Sequence, residues 1–522
     1  IQIKNLTVTH KKDLRVILQD FSCVLNSGDK AVIVGEEGNG KSTLLKWLYS
    51  PELAEEYAEA AGERIVNKER MAYLPQELRI EEREKTLYEF FALEPRFYEQ
   101  TPRELGALAG KFQVPQDFFY GEQRMETLSG GEKVKAQMMR LLMAEPTALL
   151  LDEPSNDIDL ETLKWLEDLI ISWPGIVLFI SHDETLIERT ANMVIHIEQI
   201  RRKTLSRATV ARVSYQQYLE ERANQFEKQM QQALYEQREK KERDEKLQRI
   251  EQSVKWKLDN IPRAARGSKK NGLLKKKMKT IKSLEHRFER EDAEMTQRPE
   301  EEEAIFFRLG EKGAKIPAGK RVLEFSLEEL RSPGEERLLA SNIFLQVRGS
   351  EKVVIVGKNG AGKTTLLRKI ARELLEREDI HAQYMPQNYE ELLNLSQTPV
   401  EFLAVSGDKE EDTRIRTFLG ALKYTADEMS HPIAELSGGQ KAKVLLLKMS
   451  MSGANVLILD EPTRNFSALS SPVIRRMLAQ FPGAIISISH DRKYIGQVCD
   501  RVYRLTPEGL VPEEPEPGEE SL

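Results

Sequence analysis

Cysteine is nearly missing: Cys23 and Cys499 are the two in 522 residues. Two thiols cannot build a four-cysteine zinc site or an iron–sulfur ligand set. A disulfide between them is one arrangement; reduced thiols in a reducing cytosol are the expected one. Long apolar runs are missing too. Stretches such as Ala148–Leu151 and Val353–Val356 are strand-sized, far short of the ~18–20 residues that cross a bilayer, so no membrane domain is expected. Ile1-Gln2-Ile3-Lys4 lacks the layout of a signal peptide. Net charge is only −7, so bulk charge names no partner, and a nucleic-acid binder would need its basic residues in a patch. What is present is ample apolar content, 40%, enough for buried cores, and 31% charged residues, which suggests exposed helix. The length implies two to four domains.

The chain repeats itself. Gly35-Glu36-Glu37-Gly38-Asn39-Gly40-Lys41-Ser42 recurs as Gly357-Lys358-Asn359-Gly360-Ala361-Gly362-Lys363-Thr364. Leu128-Ser129-Gly130-Gly131 recurs as Leu436-Ser437-Gly438-Gly439, Leu151-Asp152-Glu153-Pro154 as Leu459-Asp460-Glu461-Pro462, and Ser181-His182-Asp183 as Ser489-His490-Asp491. From Leu128 onward the offset is a constant 308 positions. Matched internal spacing means one domain, duplicated.

Between the copies glycine is almost absent from Ser214 to Gly267, and charge is dense. Tyr215, Leu219, Arg222 and Phe226, then Leu247, Ile250 and Val254, fall at helical spacing. A break is expected at Pro262 and Gly267–Gly272, followed by a second helix from about Leu273 carrying Leu274, Met278, Ile281, Leu284 and Phe288 on one stripe. The reading is a helical hairpin whose first arm, of roughly 40 residues, spans about 60 Å. The fold class expected is α/β: two tandem P-loop nucleotide-binding domains, 1–213 and 300–510, joined by a hairpin linker, 214–299, with an acidic disordered tail, 511–522.

Each GxxxxGK[S/T] element follows an apolar strand and opens a helical pattern, the context that a phosphate-binding loop needs. Gly35, Gly38, Asn39 and Gly40, and in the second copy Gly357, Asn359, Gly360 and Gly362, would let backbone N–H groups face phosphates at a helix N-terminus. Lys41 and Lys363 would reach the β- and γ-phosphates of ATP, with Thr43 and Thr365 two residues on also at the ATP site, and Ser42 and Thr364 would bind Mg²⁺. Asp152 and Asp460 each end an apolar run, where a carboxylate would hold the same ion. Glu153 and Glu461 suit a base for the attacking water; a lone acidic pair at a strand end is more often a surface feature, and the upstream loop argues otherwise. Gln76 and Gln387, each after Tyr-x-Pro, fit sensors of Mg²⁺ and water. His182 and His490 fit a γ-phosphate contact. Ser129, Gly130 and Gly131, and Ser437, Gly438 and Gly439, would open helices with donors for an anion; alone, either is also a plain helix cap.

With these motifs together, both halves resemble ATP-binding-cassette (ABC) ATPases over about four-fifths of the chain. The resemblance implies two ATP molecules sandwiched head to tail inside a monomer, the Lys41 site facing Ser437–Gly439 and the Lys363 site facing Ser129–Gly131. Two cassettes, no membrane span and a charged linker look like the F subfamily. That implies a cytoplasmic ATP hydrolase on the 70S ribosome, entering at the tRNA exit (E) site with its linker tip near P-site tRNA, 23S rRNA and the peptidyl-transferase centre. Glu461-Pro462-Thr463-Arg464-Asn465-Phe466-Ser467 resembles the antibiotic-resistance branch (Vga- and Lsa-like). The short distance from Gln76 to Leu128, without room for the extra arm of housekeeping relatives, agrees. Two departures stand out: Ser467 replaces the aspartate that closes the loop in the first copy at Asp159, and His10 stands where relatives often carry tyrosine, its counterpart in the second copy not located.

From Lys255 to Lys282 eleven basic residues face one acidic residue, Asp259. The tip residues Lys255, Trp256, Lys257, Arg263, Arg266, Lys269, Lys270, Lys275, Lys276 and Lys277 form a patch suited to a phosphate backbone and to stacking on an unpaired base. A solvated helix end is the plain alternative. Protection against lincosamides, pleuromutilins or group A streptogramins, by direct contact or by shifting tRNA or rRNA, competes with a general translation or ribosome-assembly role. A transporter's energy module and a DNA-repair ATPase fit less well: the first leaves the basic hairpin without a purpose, the second needs zinc cysteines or longer coiled coils, and no DNA is expected as a partner.

Overall fold

The computed structural model describes residues 1–12, 14–156, 158–200, 205–260, 269–293, 295, 315–332, 334, 337–405 and 407–513. It is mixed α/β, with two six-stranded sheets built alike. The first runs Met71–Leu74, Ala148–Asp152, Ile176–Ile180, Lys30–Val34, Met193–Ile200, Leu205–Ala211; the second runs Ala382–Met385, Val456–Asp460, Ala484–Ile488, Lys352–Val356, Arg501–Thr506, Gly509–Glu513. In each, all pairings are parallel except the last. The central strands, with sequences such as LILD and IVLFI, are buried along their whole length. A strand covered on both faces needs this unbroken apolar run, which is why no two-residue alternation shows in the sequence.

In each half the loops that carry the carboxylates Glu153 or Glu461 and the histidines His182 or His490 follow the C-terminal ends of adjacent central strands. Close packing fixes those strand starts. A Cβ on Gly175 would lie 1.9 Å from the carbonyl oxygen of Thr147, and one on Gly483 would lie 2.0 Å from that of Asn455. Gly175→Ala is therefore expected to lower unfolding stability by ~1–3 kcal/mol in urea denaturation, since overpacking forces backbone to move; an unchanged midpoint would contradict the packing.

The halves are not identical. Beside the first sheet lies a three-stranded antiparallel one ordered Val16–Val24, Gln2–His10, Ala58–Ile65; beside the second, among the described residues, lie two strands, Arg321–Arg331 and Leu338–Arg348. The extra strand, AEAAGERI, is mostly exposed, and its poor strand formers left no sequence signal. Cys23 and Cys499 are free thiols, pushed up by burial to about 11 and about 12 respectively.

Residues Gln216–Glu301 form a separate compact unit. Its helices are Tyr215–Asp259, 45 residues, and Lys269–Ala293, 25 residues. Arg243 bonds Asp292 at 2.5 Å and lies 4.2 Å over the Phe288 ring, and Lys240 pairs with Asp292 at 2.9 Å, so the arms run antiparallel. Val254 and Ile281 are buried. Two details differ from the sequence reading. Ile250 is exposed, Glu251 taking the more sheltered position, and the second helix starts at Lys269, so Gly272 is helical. One interior glycine costs about 1 kcal/mol, too little to break a helix with Leu273 and Leu274 following. Pro262, Arg263, Arg266, Gly267, Asp157, Glu300–Glu303 and the tail beyond Glu513 lie outside the described residues, as do the side chains of Lys269, Lys270, Leu274 and Lys275. No helix among the described residues is long and apolar enough to cross a membrane.

Candidate nucleotide sites

Gly40 and Gly362 each precede a helix, Lys41–Tyr49 and Lys363–Leu375, in the left-handed region at φ 84° and 95°. Glycine takes that conformation freely, and nothing larger fits: a Cβ on Gly40 would meet Ile17 Cγ2 at 1.9 Å. The loops so formed fold over their own lysines. Lys41 Nζ donates to the carbonyls of Gly35 and Glu36 at 3.0 and 3.1 Å, and Lys363 Nζ to those of Gly357 and Lys358 at 2.8 and 3.0 Å. Burial lowers both ammonium groups from their ordinary range. Thr43 is buried beneath the first loop, and Asn39 Nδ2 ties it to the carbonyl of Ile197 at 3.1 Å.

Ser42 Oγ donates to Asp152 Oδ1 at 2.9 Å, and Tyr73 Oη to Asp152 Oδ2 at 3.2 Å. In the second half Asp460 Oδ2 is buried with no hydrogen-bond partner among the described residues. A hydroxyl and a carboxylate at that spot, one oxygen unpaired, fit a hard divalent cation such as Mg²⁺.

Glu153 and Glu461 both stand in the left-handed region, at φ 50° and 53°. A non-glycine residue held there is strained, and such strain gathers at functional sites. Each carboxylate accepts the backbone N–H of the histidine on the neighbouring strand's loop: His182 to Glu153 at 3.2 Å, His490 to Glu461 at 3.3 Å. The rings follow, His182 Nε2 lying 3.0 Å from Glu153 Oε1 and His490 Nε2 3.8 Å from Glu461 Oε1. Burial pushes Glu153 well up against the pull of Lys41, and burial and then Asp460 push Glu461 up to about 8. Burial first, then the loop lysine, drives both histidines down to about 3. The imidazoles are thus neutral and able to donate one N–H each.

Ser129 and Ser437 cap the helices Gly130–Met143 and Gly438–Met451 through capping boxes with Glu132 and Gln440. The two halves bring these caps to each other's phosphate loops. A cavity of about 670 Å³ joins Lys363, Thr364, Thr365 and Gln387 with Asp460, Glu461 and His490, and its opposite wall is Ser129 and Gly130. Asn359, Gly360 and Gly362 also face it; Gly131 packs instead against Thr162. The Lys41 site is different. Gly439 N donates to Glu37 Oε2 at 2.6 Å, so a carboxylate from the phosphate loop already occupies the donor at the opposing helix start, and Gly438 lies beside it. Gln76 is exposed, whereas Gln387 lines its cavity. Asp159 caps the helix Leu160–Ser172 and influences Lys363 and His490 across the interface. Its counterpart Ser467 turns inward to Ser470 at 2.9 Å.

Sequence reading missed Glu37, whose role exists only once the halves meet. It also missed the end of the Lys363 cavity, where Ser332, Arg337 and Leu339 stand. Ser332 answers to His10: each closes a hairpin, His10 N to Arg15 O at 2.9 Å and Ser332 N to Arg337 O at 2.9 Å. Aligning the hairpins on Ile17 and Leu339, which pack against Gly40 and Gly362, would have found it.

On the hairpin, Trp256 is 67% exposed and Leu273 is 62% exposed. Lys257, Lys276, Lys277, Lys279 and Lys282 are exposed, while Lys255 pairs with Glu251 at 2.7 Å.

The sequence profile described as "ABC transporter" matches residues 18–156 and 340–464. The chain is 28% identical to putative ATP-binding protein YdiF of Bacillus subtilis, over 97% of this chain and 80% of that protein. It is likewise 28% identical to ribosome protection protein VmlR of the same organism, over 98% and 88%. In fold it is similar to the archaeal ribosome recycling factor aABCE1, with a TM-score of 0.57, 17% identity, and coverage of 96% and 87%.

Proposed function

The chain belongs to the ABC transporter family, and on that premise we propose that it is an F-type ribosome-bound ATPase that protects translation from antibiotics acting at the peptidyl-transferase centre. The observation that carries the ATPase reading is the Lys363 cavity, whose opposite wall is the first half's Ser129 and Gly130. A triphosphate there would touch both halves and bridge them. Lys363 and the loop N–H groups would hold the phosphates. Thr364, Gln387 and Asp460 would hold Mg²⁺, which screens phosphate charge and orients the terminal group. Glu461 would orient water and His490 would donate to the γ-phosphate. Lys41, Ser42, Gln76, Asp152, Glu153 and His182 take the same parts at the other site, with Ser437, Gly438 and Gly439 opposite.

At the Lys41 site the incoming phosphate would have to displace Glu37 from Gly439. Glu37→Asn, the residue that the second copy carries at Asn359, removes one like charge from that path. It is expected to tighten ATP at the Lys41 site about tenfold, as removal of a like charge within a few ångströms does in a partly buried site. Titration with a fluorescent ATP analogue reads it; equal or weaker binding would count against displacement.

The ribosomal part rests on the basic, tryptophan-bearing hairpin and on likeness to a protein named for ribosome protection. Because identity to YdiF is the same as to VmlR, the deciding measurement is drug tolerance. Expression in a sensitive host is expected to raise the inhibitory concentration of lincosamides, pleuromutilins or group A streptogramins at unchanged drug uptake. Unchanged tolerance with ribosome binding intact would assign the chain to general translation or ribosome assembly.

A further inference from the structure

Away from the nucleotide sites, the two halves meet through four charged side chains that obey the internal repeat. Glu167 and Glu184 of the first half occupy the positions that Arg475 and Arg492 occupy in the second, at the same constant offset. Helix Leu160–Ser172 corresponds to Ser471–Ala479, and helix Glu184–Thr190 to Arg492–Val498. Arg475 donates to Glu184 Oε1 and Oε2 at 2.7 and 3.0 Å, a forked pair in which both side chains are almost wholly buried, at 3% and 4% exposure. Arg492 donates to Glu167, completing the mirror contact. Each contact is thus the other's image about the pseudo-twofold axis, with the charges exchanged.

A duplicated domain that pairs with its copy could have kept one acid and one base in each half. That arrangement is self-complementary, and either half could then pair with another of its own kind. Here both acids lie on one half and both bases on the other. Two first halves brought together in the same geometry would set Glu167 against Glu184. Two second halves would set Arg475 against Arg492. Burial makes either clash severe, since an unpaired buried charge has neither water nor a partner. Neighbouring groups add to the bias. Lys493 reaches Glu184 at 3.2 Å and Glu188 across the interface, while its repeat counterpart is Thr185 and that of Glu188 is Gly496. Arg189 bonds Glu167 from its own half at 3.3 Å, Asp491 lies 3.8 Å from Arg475, and Asp183 lies 3.8 Å from Arg492.

We propose that Glu167, Glu184, Arg475 and Arg492 form a pairing key that lets the first cassette close only on the second, excluding pairing of like cassettes between chains. The key is a specificity device in which the repelling combinations matter as much as the attracting one. It does not depend on what the ATPase acts upon, so it stands apart from the ribosomal reading.

Three full-length variants test it. E167R/E184R makes both halves basic at the key, and R475E/R492E makes both acidic. Each alone is expected to stay monomeric by light scattering and to lose about 100-fold or more in ATP hydrolysis, as the sandwich cannot close. Mixed in equal amounts, the two are expected to form a 1:1 heterodimer with partial recovery of hydrolysis. The quadruple swap E167R/E184R/R475E/R492E restores complementarity and is expected to recover hydrolysis to within about tenfold of the parent, as a monomer. The proposal fails if the mixture stays monomeric with no gain while the circular dichroism of both variants is native. Should the reversals prove unfolded, the milder E184Q, R475Q and double variant decide: coupling on the order of tenfold in hydrolysis supports the key, and additive losses overturn it.

Discussion

Replacing Glu153 and Glu461 by glutamine is expected to cut ATP hydrolysis by about 10²–10⁴-fold while leaving ATP binding within a few-fold of the parent, and to leave the protein held on ribosomes whenever ATP is present. The size follows from losing a positioned base for the attacking water. Each glutamate accepts the N–H of His182 or His490, a bond that the glutamine oxygen can still accept. The phosphate loops and the opposing serines are therefore expected to persist, and closure over ATP with them. Closure without hydrolysis has no release step, so a ribosome-bound state should accumulate. Pelleting through a sucrose cushion with ATP and with ADP measures it. A double variant that sediments free of ribosomes in ATP would remove the ribosome from the account and leave the ATPase standing. Single variants should differ, because the sites are unlike: Asp159 influences the Lys363 site, whereas Ser467 turns away from its partner.

Charge removal at the hairpin should act on binding rather than on chemistry. Changing Lys257, Lys276, Lys277, Lys279 and Lys282 to serine removes five exposed cations. Each phosphate contact contributes about 0.7–0.9 to the slope of log affinity against log salt, so loss of five contacts should lower the slope by roughly 3.5–4.5. Affinity for ribosomes at low salt should fall by two or more orders of magnitude, by the same relation. Basal ATPase without ribosomes should not change. Trp256, with two-thirds of its surface open, tests stacking separately: Trp256→Ala should weaken binding by about 1–3 kcal/mol with no change in slope, since an aromatic contact releases no counterion. An unaltered slope in the serine variant would dispose of phosphate recognition by the hairpin.

What could be read from the sequence was whatever is contiguous. Lys41, Asp152, Glu153, His182 and their copies sit in short motifs whose neighbours are strands and helix starts, and the structure sets the lysines at helix starts and the others at or just beyond strand ends, as those neighbours require. The apolar runs gave the central strands for the same reason. What could not be read depends on meetings between distant segments. Glu37 looks like an ordinary loop acid until Gly439 stands 2.6 Å away. Glu167 and Arg475 look like surface charges on amphipathic helices until each is buried against the other half. The strand Ala58–Ile65 is too poor in β-formers to announce itself and is held by pairing with Gln2–His10. Gly272 and Ile250 show the opposite failure, where a local rule for breaks and stripes gave way to the length of a cooperative helix.

In the proposed function each ATP site is completed by the other half. The most direct measurement is single-turnover hydrolysis in an E153Q background, where only the Lys363 site can react. Gly130→Asp puts a carboxylate on the cavity wall opposite Lys363 and is predicted to abolish that turnover, whereas Gly438→Asp, at the far site, is predicted to spare most of it. Loss with Gly438→Asp and persistence with Gly130→Asp would contradict the arrangement outright.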